Sequence, residues 1–359
     1  MILKILHVGE YASGGIATYL RTVIPFQEQT TWMSEIALYV SDEKSETFNS
    51  SDKVNVVRYS YRRNITSIIR QICYFKKVIR KMSPDIIHIH SSFAGIFVRM
   101  AVCLTPRFKG KVVYCAHGWS FLMDTAKWKQ KFFLLIEKYL SLKTDIIVNI
   151  SDYEFKKSLE FGISKEKSKL IMNGLNEKAN HERVDIGLDS EKINLLFVGR
   201  FDRQKGLDIL FDFFRSHPIN DVKLYVIGDQ VLQDQGVQIP QNVHALGWID
   251  HHLLNSYYQL FDAIIIPSRW EGFGLVALEA MQNSKALIVS NRGALPSFIE
   301  NDNGYVFCLE DEKSLKNIFA ELDKQDLEIK GLKGYALFKE KYTGSHMNEQ
   351  LLSLYKKLI

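Results

Sequence analysis

Ala263-Ile-Ile-Ile-Pro-Ser-Arg-Trp-Glu-Gly-Phe-Gly-Leu-Val-Ala-Leu-Glu-Ala-Met-Gln282 reads as a strand, a turn and a helix in succession. Its four leading apolar residues show no polar alternation, which describes a strand buried on both faces, as in parallel sheets covered by helices. Residues 269–274 form a glycine-rich turn, and a helical pattern follows over 274–282. Such a turn exposes unpaired backbone N–H groups and the positive end of the helix dipole, an arrangement suited to a diphosphate. Glu271 precedes the turn, and Glu279 shares a helix face with Leu275 and tilts back toward the N-terminus. Carboxylates beside a phosphate would repel it, so the pair reads as acceptors for sugar hydroxyls. A surface helix with one ordinary Glu and a capped turn is the plainer alternative.

The same unit recurs along the chain. Apolar runs at 3–8, 86–89, 112–116, 145–150, 195–198, 224–227, 263–266 and 287–289 alternate with helical stretches such as 65–81, 127–140, 207–214 and 274–282. This alternation predicts right-handed βαβ units. The pattern starts at residue 2 and restarts at 193, each time entering a glycine-containing loop and a helix, with a polar, pattern-poor stretch over 176–191 between. A chain of 359 residues exceeds what one core supports, so two doubly wound α/β domains are expected, 1–175 and 190–344. A last amphipathic helix over 345–359 is expected to pack back on the first domain. It begins within Gly344-Ser-His-Met347, which matches a common cloning scar but runs straight into the helical pattern and is read as native.

Composition excludes several classes. At 46% hydrophobic and 24% charged residues with 7 Pro, the chain is that of a globular protein. Cys73, Cys103, Cys115 and Cys308 are scattered without a Cys-x-x-Cys pair, against a disulfide framework or zinc site and for a reducing cytoplasm. The N-terminus has neither the basic start nor the long apolar stretch of a signal peptide, and no run reaches the roughly 18–20 apolar residues that span a bilayer. Net charge is +5, divided unequally: residues 1–180 carry 27 Lys and Arg against 16 Asp and Glu, residues 181–359 carry 19 against 25.

Ligands of open α/β sheets bind beyond the carboxyl ends of the strands, and the chemistry-bearing residues fall there. Gly199-Arg-Phe-Asp-Arg-Gln-Lys-Gly206 follows a buried strand, and its Arg200 and Lys205 suit a leaving diphosphate, on which charge develops as a glycosyl–phosphate bond breaks. Gly14-Gly15 follows the first strand without the Gly-x-Gly-x-x-Gly fingerprint and still permits close backbone approach. His117 ends the strand 112–116, where it could donate to a sugar hydroxyl or a phosphate; a satisfied structural histidine is the alternative. His88 and His90 lie on one strand face with no third ligand evident, and the chain lacks Asp-x-Asp, so no metal is expected.

Taken in order, Gly14-Gly15, His117, Val198-Gly-Arg200 with Lys205-Gly206, Pro267-Ser268, and Glu271 to Glu279 resemble the retaining glycosyltransferases of family 4, which have the GT-B fold. The resemblance spans nearly the whole chain. It implies two Rossmann-like domains facing a central cleft, a donor held mainly by the second, retention of anomeric configuration and no cofactor or metal. Position by position, it implies that Arg200 and Lys205 bind the donor diphosphate and Glu279 the ribose. Glu271 and the N–H groups of Phe273, Gly274 and Leu275 would hold donor sugar and phosphate. His117 would contact the donor sugar, and the Gly14-Gly15 loop the phosphate and acceptor. Two departures bear on donor details: Gly293-Ala-Leu-Pro-Ser297 stands where members often carry Gly-Gly-x-Pro-Glu, and Asp229-Gln230 follows Gly228 where a second glycine is common.

The expected activity is hexosyl transfer from a nucleotide-diphosphate sugar, UDP on family grounds, to a glycan or lipid-linked acceptor in surface polysaccharide or glycolipid synthesis. A sugar-nucleotide epimerase or a phosphorylase on the same architecture, or a non-catalytic nucleotide-sugar-binding subunit, are the competing readings. A phosphorylase would carry a pyridoxal-binding Lys region, and none is convincing here. Basic residues interleaved with aromatics occur at Tyr59-Ser-Tyr-Arg-Arg63, along the helix bearing Arg70, Lys76, Lys77, Arg80 and Lys81, and at Lys127-Trp-Lys-Gln-Lys-Phe-Phe133. They suit an anionic membrane surface, so the expectation is a cytoplasmic protein that docks on the inner face of the cell membrane; solvated basic faces with aromatics in the core are the alternative. Nucleic acid is not expected, since no recognised motif accompanies the charge.

Overall fold

The computed structural model describes residues 3–177, 182–217, 219–228 and 239–359. The chain divides into two compact units, one of residues Met1–Leu175 with Gly344–Ile359, the other of Asn176–Thr343. Asp229 and Gln230, and residues 178–181 of the inter-domain stretch, lie outside the described residues.

The first unit runs β1 (Leu3–Gly9), α1 (Gly15–Glu28), β2 (Met33–Ser41), β3 (Val54–Tyr59), α2 (Ile65–Met82), β4 (Ile86–His90), α3 (Ser92–Cys103), β5 (Lys111–Cys115), α4 (Lys127–Ser141), β6 (Ile146–Asn149), α5 (Asp152–Glu160) and β7 (Ser168–Leu170). Its seven strands are all parallel in the order β3-β2-β1-β4-β5-β6-β7. β4 is buried at every position, its His88 and His90 included. Leu6, Ile87, Ile89 and Val112 of the sheet pack with Phe75, Phe97 and Val98 of the helices in one core.

The second unit runs β8 (Ile193–Val198), α6 (Leu207–Ser216), β9 (Val222–Ile227), β10 (Val243–Gly247), α7 (His251–Leu260), β11 (Ala263–Ile266), α8 (Leu275–Gln282), β12 (Ala286–Ser290), β13 (Gly304–Phe307), α9 (Glu312–Glu321) and α10 (Lys324–Lys341). Its sheet is also parallel, in the order β10-β9-β8-β11-β12-β13. Each sheet reverses its strand order once, at β1/β4 and at β8/β11, the points where open α/β sheets hold ligands.

α11 (Gly344–Leu358) belongs to the first unit. Met347 and Tyr355 are buried there. Met347 Sδ accepts from the Gly174 N–H at 3.3 Å, Asn348 donates to the Thr22 carbonyl at 3.0 Å, and Gly344 donates to the Leu175 carbonyl at 2.6 Å. Gly344-Ser-His-Met347 is thus part of the packed helix. All four cysteines are free thiols. Among the described residues, no helix is long and apolar enough to cross a membrane.

Candidate functional site

In the second unit, β8 and β11 are hydrogen-bonded neighbours whose carboxyl ends open into residues 199–206 and 267–274. The two loops are bound together by backbone. The Arg269 N–H donates to the Gln204 carbonyl at 2.8 Å, and Gln204 Nε2 donates to the Trp270 carbonyl at 3.2 Å. Arg269 forks onto both oxygens of Asp208 at 2.8 and 2.6 Å, which holds that carboxyl below the usual range. Gly206 makes the approach possible: its φ is +72°, and a Cβ there would lie 2.2 Å from the Pro267 carbonyl oxygen.

This scaffold brings Lys205 to Glu271. The Lys205 ammonium donates to Glu271 Oε2 at 2.7 Å, with Ser268 Oγ at 3.5 Å from the same oxygen. Both side chains are largely shielded, at 18% and 13% exposure. Arg200 is not part of this pair. It is exposed and turned to Asp202 at 3.0 Å and Gln204 at 3.3 Å. Gly274 caps α8 with φ +107° and no side-chain hydrogen bond, so no side chain occupies the helix N-terminus at its cap. Phe273 is buried against Phe298, leaving its contribution to its backbone, and Leu275 opens the helix. Glu279 accepts from the Tyr258 hydroxyl at 2.7 Å. The two glutamates thus have different partners, a cation for one and a buried phenol for the other.

Gly293 explains why its motif matters to this turn. A Cβ there would fall 1.9 Å from the Glu271 carbonyl oxygen, which accepts the Ala294 N–H at 3.1 Å. Residues 293–294 therefore form the floor on which Glu271 rests.

In the first unit, Gly14 precedes α1, and its N–H donates to Glu46 Oε1 at 2.8 Å. Gly15 begins the helix. His117 follows β5 and is hydrogen-bonded into a row of histidines. His117 Nε2 lies 3.0 Å from His90 Nδ1, His90 Nε2 lies 3.0 Å from His7 Nδ1, and His7 Nε2 lies 2.8 Å from Gln27 Oε1. His88 Nδ1 meets the Tyr355 hydroxyl at 2.6 Å. Burial drives every ring below its ordinary pKa, His7 to about 4, His117 to about 3, and His88 and His90 well below. All four are neutral at pH 7. Each neutral ring has one donor and one acceptor nitrogen, so the row carries its protons in a single sense from Gln27 to His117. His117 thus engages His90 through Nε2 and has Nδ1 left for another partner.

The statement that His88 and His90 lack a third partner is overturned. The parallel register of β1 and β4 pairs His7 with His88, and the ligating nitrogens of His7, His88 and His90 lie within 4.8 Å of one another. The nitrogens of His7 and His90 face each other at 3.0 Å.

Two parallel doubly wound units with strand-end sites have the GT-B architecture. Residues 13–178 match the model for Glycosyltransferase Family 4 and residues 178–330 that for Glycosyl transferases group 1, and the chain belongs to this family. It is 35% identical to an uncharacterized 41.2 kDa protein in the cps region of Klebsiella pneumoniae, over 88% of this chain and 89% of that one. It is 25% identical to the O-antigen biosynthesis glycosyltransferase WbnH of Escherichia coli, over 92% and 94% of the two chains. Among solved structures, Anabaena HepE in complex with UDP and glucose shares the fold at TM-score 0.78 and 16% identity, over 99% of this chain and 100% of that one.

Proposed function

We propose that this glycosyltransferase moves a hexose from a UDP-sugar, with retention, to a glycan or lipid-linked acceptor during assembly of a surface polysaccharide. The Lys205–Glu271 pair carries this reading: a shielded cation and carboxylate, 2.7 Å apart, beside the N-terminus of α8 at the β8/β11 switch point. The Lys205 ammonium, with Arg200 once it turns from Asp202, neutralises the departing diphosphate, the group on which charge accumulates. The N–H groups of Phe273, Gly274 and Leu275 add oriented donors for the phosphate. Glu271, relieved of Lys205 by the phosphate, accepts from donor-sugar hydroxyls, and Glu279 accepts from the ribose. His117 is assigned to the donor sugar, and the Gly14-Gly15 loop to the phosphate and the acceptor. With two cations for the diphosphate and no Asp-x-Asp to hold a Mg²⁺ complex, the step is assigned to side chains alone, without a cofactor. The names of the relatives from capsule and O-antigen systems, and the UDP complex of the structural neighbour, support the donor and pathway class.

A thermal-shift panel of UDP-, GDP- and ADP-sugars tests the donor. A ligand at 100-fold its Kd stabilises by about 2.7 kcal/mol, and only the UDP series should show this. Lys205→Met should then lower transfer by roughly 10²–10³-fold, the scale of one lost electrostatic stabiliser. Undiminished transfer by that variant would remove Lys205 from the reaction.

A further inference from the structure

The three basic, aromatic-rich stretches of the first unit fold differently. In the first, Tyr59 and Tyr61 are buried, Arg63 pairs with Glu10 and Arg62 with Glu43. Its aromatics are core and its cations are paired. In α2, the outer face carries cations with only Ile65 and Ile69 exposed among its large apolar residues. α4 is built the other way. Its inner face supplies Glu137 to Arg99 and Tyr114 and packs Phe133, Leu134 and Leu140 inward. Its outer face carries Trp128, Phe132, Leu135, Tyr139 and, at its C-cap, Leu142, at 67, 55, 67, 63 and 70% exposure.

These five side chains recur at i, i+4, i+7, i+11 and i+14, which aligns them on an arc of roughly 80° at ~100° per residue. Lys127, Lys131 and Lys138 border the stripe on one side and Lys129 and Lys143 on the other, all exposed. Between Lys127 and Lys143 the single carboxylate is Glu137, which faces inward. A helix with a buried stripe on one side needs no second one to fold, so the outer stripe is an interaction surface.

Charge selects the occupant. A second copy docking through the same stripe would set lysine rows against lysine rows, whereas an anionic lipid surface complements both borders. Trp128 and Tyr139 have the amphipathic rings that settle at the headgroup level, and the exposed length between Trp128 and Leu142 lies flat along one face. We propose that the outer face of α4 docks the first unit on an anionic bilayer, its apolar stripe at the headgroup–acyl boundary and its lysines among the headgroups. The proposal concerns the first unit alone and does not depend on the donor assignment.

Co-flotation with vesicles of phosphatidylcholine containing one quarter phosphatidylglycerol tests it, read with tryptophan emission. The full chain should float with these vesicles at low salt, lose binding in high salt, and shift its emission to the blue, the shift disappearing in Trp128→Phe. Phe132→Ser with Leu135→Ser should lower partitioning by roughly 100-fold, about tenfold for each side chain withdrawn from the boundary. Lys131→Glu with Lys138→Glu should lower it by at least 25-fold, about fivefold per lost cation, on anionic vesicles only. All four side chains are exposed, so unchanged circular dichroism is expected of both variants; should either misfold, the Trp128 shift in the native chain decides. No flotation and no shift, unchanged binding by the serine variant, or a concentration-dependent dimer abolished by that variant would each overturn the proposal.

Discussion

Lowering the pH from 7.5 to 5.5 should destabilise the first unit far more than the second, because of the histidine row. His7, His88, His90 and His117 are held neutral in the fold, while an unfolded chain protonates each near pH 6.5. Their folded pKa values are depressed, so the unfolded state binds more protons between about pH 4 and 6.5, and stability falls as pH falls through that window. A group that titrates only when unfolded costs about 1.4 kcal/mol between pH 7.5 and 5.5, or about 5 kcal/mol for four. His117 keeps some surface open to solvent, so 4–5 kcal/mol is the working figure, roughly the whole stability of a marginal domain. The neighbours do not offset it. The Tyr19 and Tyr355 phenols and the Cys115 thiol are pushed upward by burial and stay neutral, so no adjacent anion stabilises an imidazolium. Glu10, raised by its own burial, works in the opposite sense and trims the total. Urea unfolding across pH 5–8, followed by Trp119 in the first unit's core, measures the effect. The slope gives the protons taken up, about three to four near pH 5.5. His90→Gln should lower that slope by about one proton whatever it does to absolute stability. A slope below one proton between pH 5.5 and 6.5 would refute the assignment of neutral rings.

Gly293→Ala should cost roughly 3 kcal/mol, since the added methyl meets the Glu271 carbonyl oxygen in a left-handed backbone. Differential scanning calorimetry should show a second-unit Tm lower by about 6–12 °C, with donor binding lost in parallel. Arg99→Met leaves Glu137 buried without its cation, which lies 2.7 Å away in the native fold, and should cost about 3–5 kcal/mol in urea titrations. Arg99→Met with Glu137→Leu should recover most of that loss, because the carboxylate is removed along with its partner.

Legibility in the sequence followed burial. The eight apolar runs correspond to strands of the two sheets, because strands covered on both faces carry few polar interruptions. The strands without such runs are β3, β7, β10 and β13 at the sheet edges, and β2, whose Ser34 and Glu35 break its start. Edge strands are only partly buried, so polar residues interrupt them and their pattern resembles a loop. The positions of Glu271, Lys205 and the Gly274 turn were readable because each lies in a loop that follows a buried strand. Tyr258 beside Glu279, and His7 beside His88, were not. Both depend on register and packing between elements distant in sequence, and nothing in local spacing encodes them. Arg200 shows the reverse limit: its place on the loop was legible, but its orientation toward Asp202 was not.

The return of α11 to the first unit makes that unit discontinuous in sequence, with residues 176–343 inserted in it. Tyr355, which caps His88 in the core, is translated after the whole second unit. A ribosome would therefore release a finished second unit before the first could close, and the nascent sheet of β1 to β7 must wait with one flank uncovered. Synthesis order and assembly order run opposite ways here, and the sheet made before the second unit is the one completed after it.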